Sequence, residues 1–345
     1  MKWHFWLHPL RGIAAILVVF LHSYWTWSLF DNFFVRKLYL MVDLFFVLSG
    51  FVISSGYINR VKDAASFKSF LARRVNRLQF QYFSSGLVWF AAAMATGAYA
   101  NLTQVSVSVL RYVSLTDFLF SGDIPHINPV TWSVMTEVWV YISFGILVVI
   151  LSSRRMPALG LLFPVVVAVL YLGFYHQDIN LVTGIGPLAR AFSGFFTGLI
   201  CYRARFLPHC VGFLLATLCL HVTIAMLSRN MDLLIVPAAA VLIFYISNIN
   251  GPKNKHIASF MQWLGEISFP LYVWHFLVSV VLAKIAHKLS GEQFITFHDE
   301  KFLKVDMFVG DVLCISLIIF SIILAQSSIF CEKIVRNTIS RKLKR

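Results

Sequence analysis

Charged residues are scarce in this chain. They form 13% of its 345 residues, where a soluble protein usually carries about 25%. That is too little polar sequence to coat a water-soluble globule. Disorder, collagen and coiled coil are excluded by the same composition. Cysteine is sparse as well, at five residues. The number is odd, and none of the five falls in a predicted outer loop, so a disulfide framework is not expected. No CxxC or Cys/His metal spacing occurs, and no GxSxG, so serine-hydrolase chemistry has no support. The first apolar run carries Arg11 and His22 and lacks a small-residue cleavage site, which argues against a cleaved signal peptide.

What is abundant is apolar sequence, at 59% of residues and a mean hydropathy of +0.78. The runs are continuous rather than alternating, so helices rather than barrel strands satisfy the backbone in lipid. We expect an all-α, polytopic integral membrane protein with about ten transmembrane helices. The spans fall near 10–29, 38–58, 79–97, 133–151, 158–175, 187–203, 209–227, 231–249, 268–287 and 307–327. With both termini cytoplasmic, 20 of the 29 basic residues fall inside and eight outside, with Arg190 within a span. The net charge of +14 is thus topology and not a nucleic-acid footprint. The expected organisation is one transmembrane domain over 1–330 and a basic cytoplasmic tail over 331–345, whose Arg341–Arg345 lies against anionic lipid. The longest outer segments are about 98–132 and 288–306, and the longest and most basic cytoplasmic loop is about 59–78.

Four motifs carry ionisable groups into or beside the membrane. The first runs from Arg11 to His22. Eleven residues at about 100° each make three turns plus about 20°, so the two share a helix face about 16 Å apart along the axis. A histidine near mid-membrane is either a general base or a polar side chain bonded to a neighbouring helix. The second is Arg73, Arg74 and Arg77, which one helical turn gathers. These arginines bind a phosphorylated cytosolic molecule or simply anchor topology. In the third, Pro129 turns the chain into Trp132–Glu137, entering from outside, and Ser133, Glu137 and Tyr141 stripe one face at intervals of four. Glu137 orients a histidine, accepts a proton, or forms a structural ion pair. The fourth is Ser268–His275, whose histidine is a second candidate or a satisfied packing group. Asp43, in the run Val42–Gly50, is the remaining intramembrane acid, and Gly50 permits close helix approach. His126 sits in the outer loop and reads as a loop residue.

Together these motifs resemble the acyltransferase family 3 membrane proteins, which O-acylate bacterial envelope glycans. The matches are Arg11-Gly with His22, Asp43 through Ser49-Gly50, Arg73-Arg-x-x-Arg77, Trp132-Ser-x-x-x-Glu137 with Tyr141, Arg190 with Gly194 and Gly198, and Ser268 through Trp-His275. They run from the first to the ninth span. Two departures stand out: no proline follows the arginine motif in Arg77–Tyr82, and Val138-Trp-Val-Tyr141 alters the usual aromatic pattern. Larger members append a soluble hydrolase-like domain, and a stand-alone membrane module is expected here.

The resemblance implies acetyl-CoA or a related acyl-CoA as cytoplasmic donor, and a carbohydrate hydroxyl as acceptor. It places His22 as general base, with Glu137 and then Asp43 to orient or balance it. Arg73, Arg74 and Arg77 would hold CoA phosphates and Arg11 the pantetheine or pyrophosphate. Trp132, Ser133, Tyr141 and His275 would contact substrate. No metal is required. The expected location is the bacterial inner membrane, with oligomeric state left open. The alternatives are a glycan or lipid-precursor transporter that uses Arg11, His22 and Glu137 as a proton path, and a non-catalytic assembly partner.

Overall fold

The computed structural model describes residues 5–152, 159–175, 179–205, 208–297 and 300–342. Of the basic residues assigned to the cytoplasmic side, Lys2, Arg154, Arg155, Lys344 and Arg345 lie outside the described residues. Twelve helices are described: α1 (Leu7–Leu21), α2 (Phe33–Arg36), α3 (Met41–Tyr57), α4 (Ala64–Ala95), α5 (Leu102–Val113), α6 (Trp132–Ser152), α7 (Leu159–Tyr175), α8 (Gly186–Ala204), α9 (Pro208–Ser228), α10 (Ile235–Ile246), α11 (Lys255–Ser290) and α12 (Met307–Lys342). Ten of these, α1, α3, α4 and α6 to α12, overlap the predicted apolar runs, although α1 ends at Leu21 rather than near residue 29. Among the described residues, five segments are long and apolar enough to cross a membrane: Leu38–Tyr57, Pro129–Ile150, Cys210–Ser228, Lys255–Ser290 and Met307–Ser340. The chain is a helical membrane protein, and among the described residues its sheet is an antiparallel pair, β1 (Phe294–Phe297) and β2 (Glu300–Leu303), with one isolated bridge between Trp25 and Leu303.

Several predicted loops are structured. The basic segment 59–78 is not a loop, because α4 starts at Ala64 and continues without a break into the third apolar run. Its start is set by a capping box, in which the Asp63 carboxylate accepts from the Ser66 backbone N–H and the Ser66 hydroxyl accepts from the Asp63 N–H. Those Ser66 bonds hold the Asp63 carboxyl below the usual carboxylate range. Hydropathy marks only the lipid-facing part of a helix, so α11 and α12 also extend well beyond their predicted spans. An Asn254 N-cap and a left-handed Gly291 (φ 68°) bound α11. Outer segment 98–132 contains α5, and segment 288–306 contains the β pair.

The chain folds as two compact units. The first comprises Met1–Leu7, Val42–Gln79 and Gly86–Gly251. Its central feature is the parallel contact of α3 with α8. Residues Asp43, Val47 and Phe51 follow each other at intervals of four, as do Arg190, Gly194 and Gly198. A Cβ on Gly198 would strike the Val47 backbone, and one on Gly194 would strike Phe46. Gly50 meets the Phe195 backbone in the same way. Small residues spaced by four let two helix backbones touch, and here they hold the register that sets Asp43 opposite Arg190.

The second unit comprises His8–Met41, Phe80–Ser85 and Pro252–Arg345. It repeats the device with α1 and α11. A Cβ on Gly12 would strike Leu264, and one on Gly265 would strike His8. From each glycine the chain climbs ten residues to a histidine, Gly12 to His22 and Gly265 to His275. A rise of about 15 Å on both helices brings the two rings to one level. The stretch after α1 is then pinned. Thr26 N–H donates to Leu303 O at 2.9 Å and Leu303 N–H to Tyr24 O at 2.9 Å. Trp25 Nε1 donates to Gly310 O at 3.0 Å, and Ser28 Oγ donates to Asp311 at 2.5 Å.

Gly198→Leu should therefore cost about 1–3 kcal/mol or more through overpacking, whereas Gly56→Leu, where a Cβ meets nothing, should be near neutral. Thermal unfolding of the two variants in detergent checks this.

Candidate functional site

In the second unit the polar centre is a histidine pair. His275 is fully buried and its Nδ1 lies 2.7 Å from the Tyr272 carbonyl. A carbonyl only accepts, so His275 Nδ1 carries the proton and its Nε2, in the neutral ring, a lone pair. His22 Nδ1 lies 3.1 Å from that Nε2 and 3.0 Å from the Val18 carbonyl. Both neighbours accept, so His22 Nδ1 must donate. The network thus assigns the lone pair of His22 to Nε2. The Ser279 hydroxyl donates to the His22 carbonyl. Phe276 and Tyr24 flank the ring. His22 itself is half-buried. Beneath this pair, Gln81 accepts from Trp274 Nε1 at 3.1 Å and donates to Glu332 at 2.9 Å, joining α11 to α12. Arg11 lies half-exposed on α1.

In the first unit the polar groups form layers along α3. At one end Asp43 and Arg190, both fully buried, make a two-point ion pair, with Nε–Oδ1 3.1 Å and Nη2–Oδ2 2.6 Å. Arg190 Nη1 donates to Leu181 O at 3.2 Å, and the guanidinium sits 4.9 Å from the Trp132 ring centroid. Trp132 and Ser133 are buried in the first turn of α6. About two turns along α3, Ser49 Oγ donates to Glu137 Oε1 at 2.6 Å. The Tyr141 hydroxyl donates to the same oxygen, so Glu137 carries two hydroxyl donors. At the far end Arg74 lies 4.7 Å and Arg73 5.6 Å from the Tyr57 ring centroid. Arg73 Nη1 donates to Ser69 at 2.5 Å, and Arg73 and Arg77 are exposed. Arg74 Nε is buried and has no hydrogen-bond partner among the described residues. That orphan donor between two exposed guanidiniums fits a phosphate oxygen.

Within each unit the structure brings predicted residues together with specific partners. Glu137 bonds Ser49 and Tyr141, Asp43 bonds Arg190, and His22 takes its orientation from His275 and Val18. Sequence reasoning assigned no role to Ser49, Ser279, Gln81 or Glu332, and Arg190 appeared only within a motif. A further buried polar pair joins α8 to α9 in the first unit. Ser193 Oγ is 2.8 Å from His221 Nε2, and His221 Nδ1 is 2.8 Å from the Thr217 carbonyl, with both side chains fully buried. Among the described residues, no group of three His, Cys, Asp or Glu side chains could hold a metal.

A helical membrane protein with an oriented neutral histidine and an arginine cluster carrying an orphan donor has the parts of a group-transfer enzyme: a base, and a holder for an anionic carrier. The chain belongs to the acyltransferase 3 family, whose model, described as an acyltransferase domain, matches residues 4–326. It is 27% identical over 253 residues to the exopolysaccharide production protein ExoZ of Rhizobium meliloti, covering 70% of this chain and 76% of that one. It is 24% identical over 305 residues to the peptidoglycan O-acetyltransferase OatA of Listeria monocytogenes, covering 77% of this chain and 48%, about half, of that one. No solved structure matches it. The protein is an acyltransferase, and the transporter alternative gives way to that membership.

Removing one member of the Asp43–Arg190 pair leaves a buried charge, at a cost of about 3–5 kcal/mol. Asp43→Ala should therefore destabilise more than the double variant Asp43→Ala/Arg190→Met. Unfolding temperatures of both in detergent test the ordering.

Proposed function

We propose that this protein moves an acetyl group from acetyl-CoA, held on the cytoplasmic face, to a hydroxyl of an envelope glycan such as an exopolysaccharide or lipopolysaccharide O-antigen. The observation that carries the reading is the lone pair assigned to His22 Nε2 by its bond to His275. The relatives' printed names, an exopolysaccharide production protein and a peptidoglycan O-acetyltransferase, support a carbohydrate acceptor. The positive-inside count supports ten spans with both termini cytoplasmic in a bacterial inner membrane.

In this reading the acceptor hydroxyl gives its proton to His22 Nε2 as its oxygen attacks the thioester carbonyl. The new C–O bond forms and the C–S bond breaks. The proton passes to the departing thiolate, which leaves as CoA thiol, and His22 returns to the neutral state. A thioester is already activated, so raising the nucleophilicity of the hydroxyl and holding the partners together supplies most of what is needed. His275, bonded to the Tyr272 carbonyl and to His22, would position His22 in this reading. Arg74 and Arg77, with Arg73 beside them, hold the phosphates of the donor. Glu137 accepts two hydroxyl donors on one oxygen and ties α3 to α6 near Tyr141. Only the acyl group needs to pass between faces.

His22→Ala should lower glycan acetylation about 10²–10⁴-fold with normal membrane insertion. Retention of more than about a tenth of the activity would remove His22 as the base. Arg74→Ala and Arg77→Ala should each weaken acetyl-CoA binding by about 1.5–3 kcal/mol, read by calorimetry in detergent. In oriented proteoliposomes, donor supplied on the cytoplasmic side alone should acetylate glycan confined to the other side. Product formed only when donor and acceptor share a side would overturn the sidedness.

A further inference from the structure

The lone pair on His22 Nε2 depends on where α11 presents His275, and a buried amide of the second unit bears on that. Gln81, on α4, is 1% exposed. Its Oε1 accepts from Trp274 Nε1 at 3.1 Å, and its Nε2 donates to Glu332 Oε2 at 2.9 Å. The other oxygen of Glu332 accepts from Arg336 Nε at 2.8 Å and lies 2.7 Å from Nη2. An indole N–H only donates, and a carboxylate paired with arginine only accepts, so the amide has a single orientation. The chain of bonds runs inward from Arg336, which is exposed, to Trp274, which is buried. It ends one residue before His275.

Neither the glycines nor Ser279 fix the roll of α11 at His275. Gly12 and Gly265 set how closely and at what height α1 and α11 stand, but they lie ten residues, about 15 Å, from the histidines. Pro270 falls between Gly265 and His275. It lacks the N–H that would bond the Glu266 carbonyl, so the ladder is interrupted on the way. Ser279 bonds the His22 carbonyl and not its ring. Apolar packing against α12 tolerates a fraction of a turn. The hydrogen bond does not. A helix with its side chains is about 10–12 Å across, so a roll of about 20° carries a side chain at its rim by about 2 Å. That ends the 3.1 Å bond between His275 Nε2 and His22 Nδ1. Trp274 projects about 100° around α11 from His275, where a bond to α4 acts as a stop against such a roll.

We infer that Gln81 is a positioning residue: through Trp274 it sets the roll of α11 that brings His275 Nε2 onto His22 Nδ1, and so keeps the His22 lone pair on Nε2. The inference rests on the acetyl-transfer reading for the use of that lone pair and on the bonds themselves for its orientation. The alternative is a brace that stabilises the helices and leaves the His22 ring unaffected.

The test uses the full chain in detergent with isotope-labelled histidine ring nitrogens, read by NMR, the His22 signals being identified by their loss in His22→Ala. Folded protein is selected by size exclusion. One variant is Gln81→Leu, which removes both amide bonds. The other is Trp274→Phe, a milder change that keeps an aromatic ring, removes only the indole donor, and carries the test if the first does not fold. In the unaltered protein the His22 proton should sit on Nδ1. In the variants it should divide between the two nitrogens. In the transfer assay kcat should fall about tenfold, the worth of one hydrogen bond, while the KM for acetyl-CoA stays within about twofold, well under that effect. A His22 tautomer that is the same in the variants as in the unaltered protein overturns the positioning role, whatever happens to unfolding temperature or kcat. A His22 proton on Nε2 in the unaltered protein overturns it as well. A tautomer that shifts with the variants, in a protein that shows no acetyl transfer, overturns the transfer reading and leaves the positioning role standing.

Discussion

Close approach of helix backbones at glycine is the constraint on which the rest of this protein depends. A polar side chain within an apolar unit is tolerable only if its partner stands opposite at the right height. Side-chain packing alone leaves helices 8–10 Å apart and free to adjust by a fraction of a turn. Contact of Gly194 and Gly198 with the Asp43–Val47 stretch of α3 removes that freedom, and the Asp43–Arg190 pair follows one turn along. Gly12 and Gly265 do the same in the second unit, ten residues before His22 and His275. In both units the small residues fix the register and the ionisable residues use it.

Electrostatics within the first unit is sorted along α3. The Asp43 to Tyr57 stretch spans about 21 Å. At the Tyr57 end, cationic side chains gather on one aromatic ring, and Arg74 keeps a donor unspent. At the Asp43 end, Arg190 is paired with Asp43 and lies against the Trp132 ring. Between them Ser49, Glu137 and Tyr141 form a closed hydroxyl–carboxylate cluster. In that cluster two O–H donors satisfy one carboxyl oxygen of Glu137.

Many of the polar residues of the candidate site are legible in the sequence. Arg11, His22, Asp43, Arg74, Glu137, Tyr141 and His275 stand out because ionisable and hydroxyl groups in apolar runs are rare and have a small set of explanations. What did not stand out are ordinary residues made special by their partners. Ser49 is one serine among many until Glu137 lies beside it, and Gln81 is unremarked until it bridges Trp274 and Glu332. His126 reads as a loop residue because its partner is Asp117, nine positions away in irregular chain. The predicted loop over 59–78 became part of α4 because hydropathy reports what a helix touches and not where it ends.

Composition and apolar run length by themselves determined the class of this protein: a helical membrane chain whose helices overlap its apolar runs. Lipid leaves no other way to satisfy the backbone. The motif residues and their order also determined the family. The tertiary structure alone decided which of those residues meet. It gave His22 to His275, Asp43 to Arg190 and Glu137 to Ser49 and Tyr141, because hydrogen bonding acts over about 3 Å. Sequence spacing along one helix cannot tell which side chain of another helix arrives within that distance.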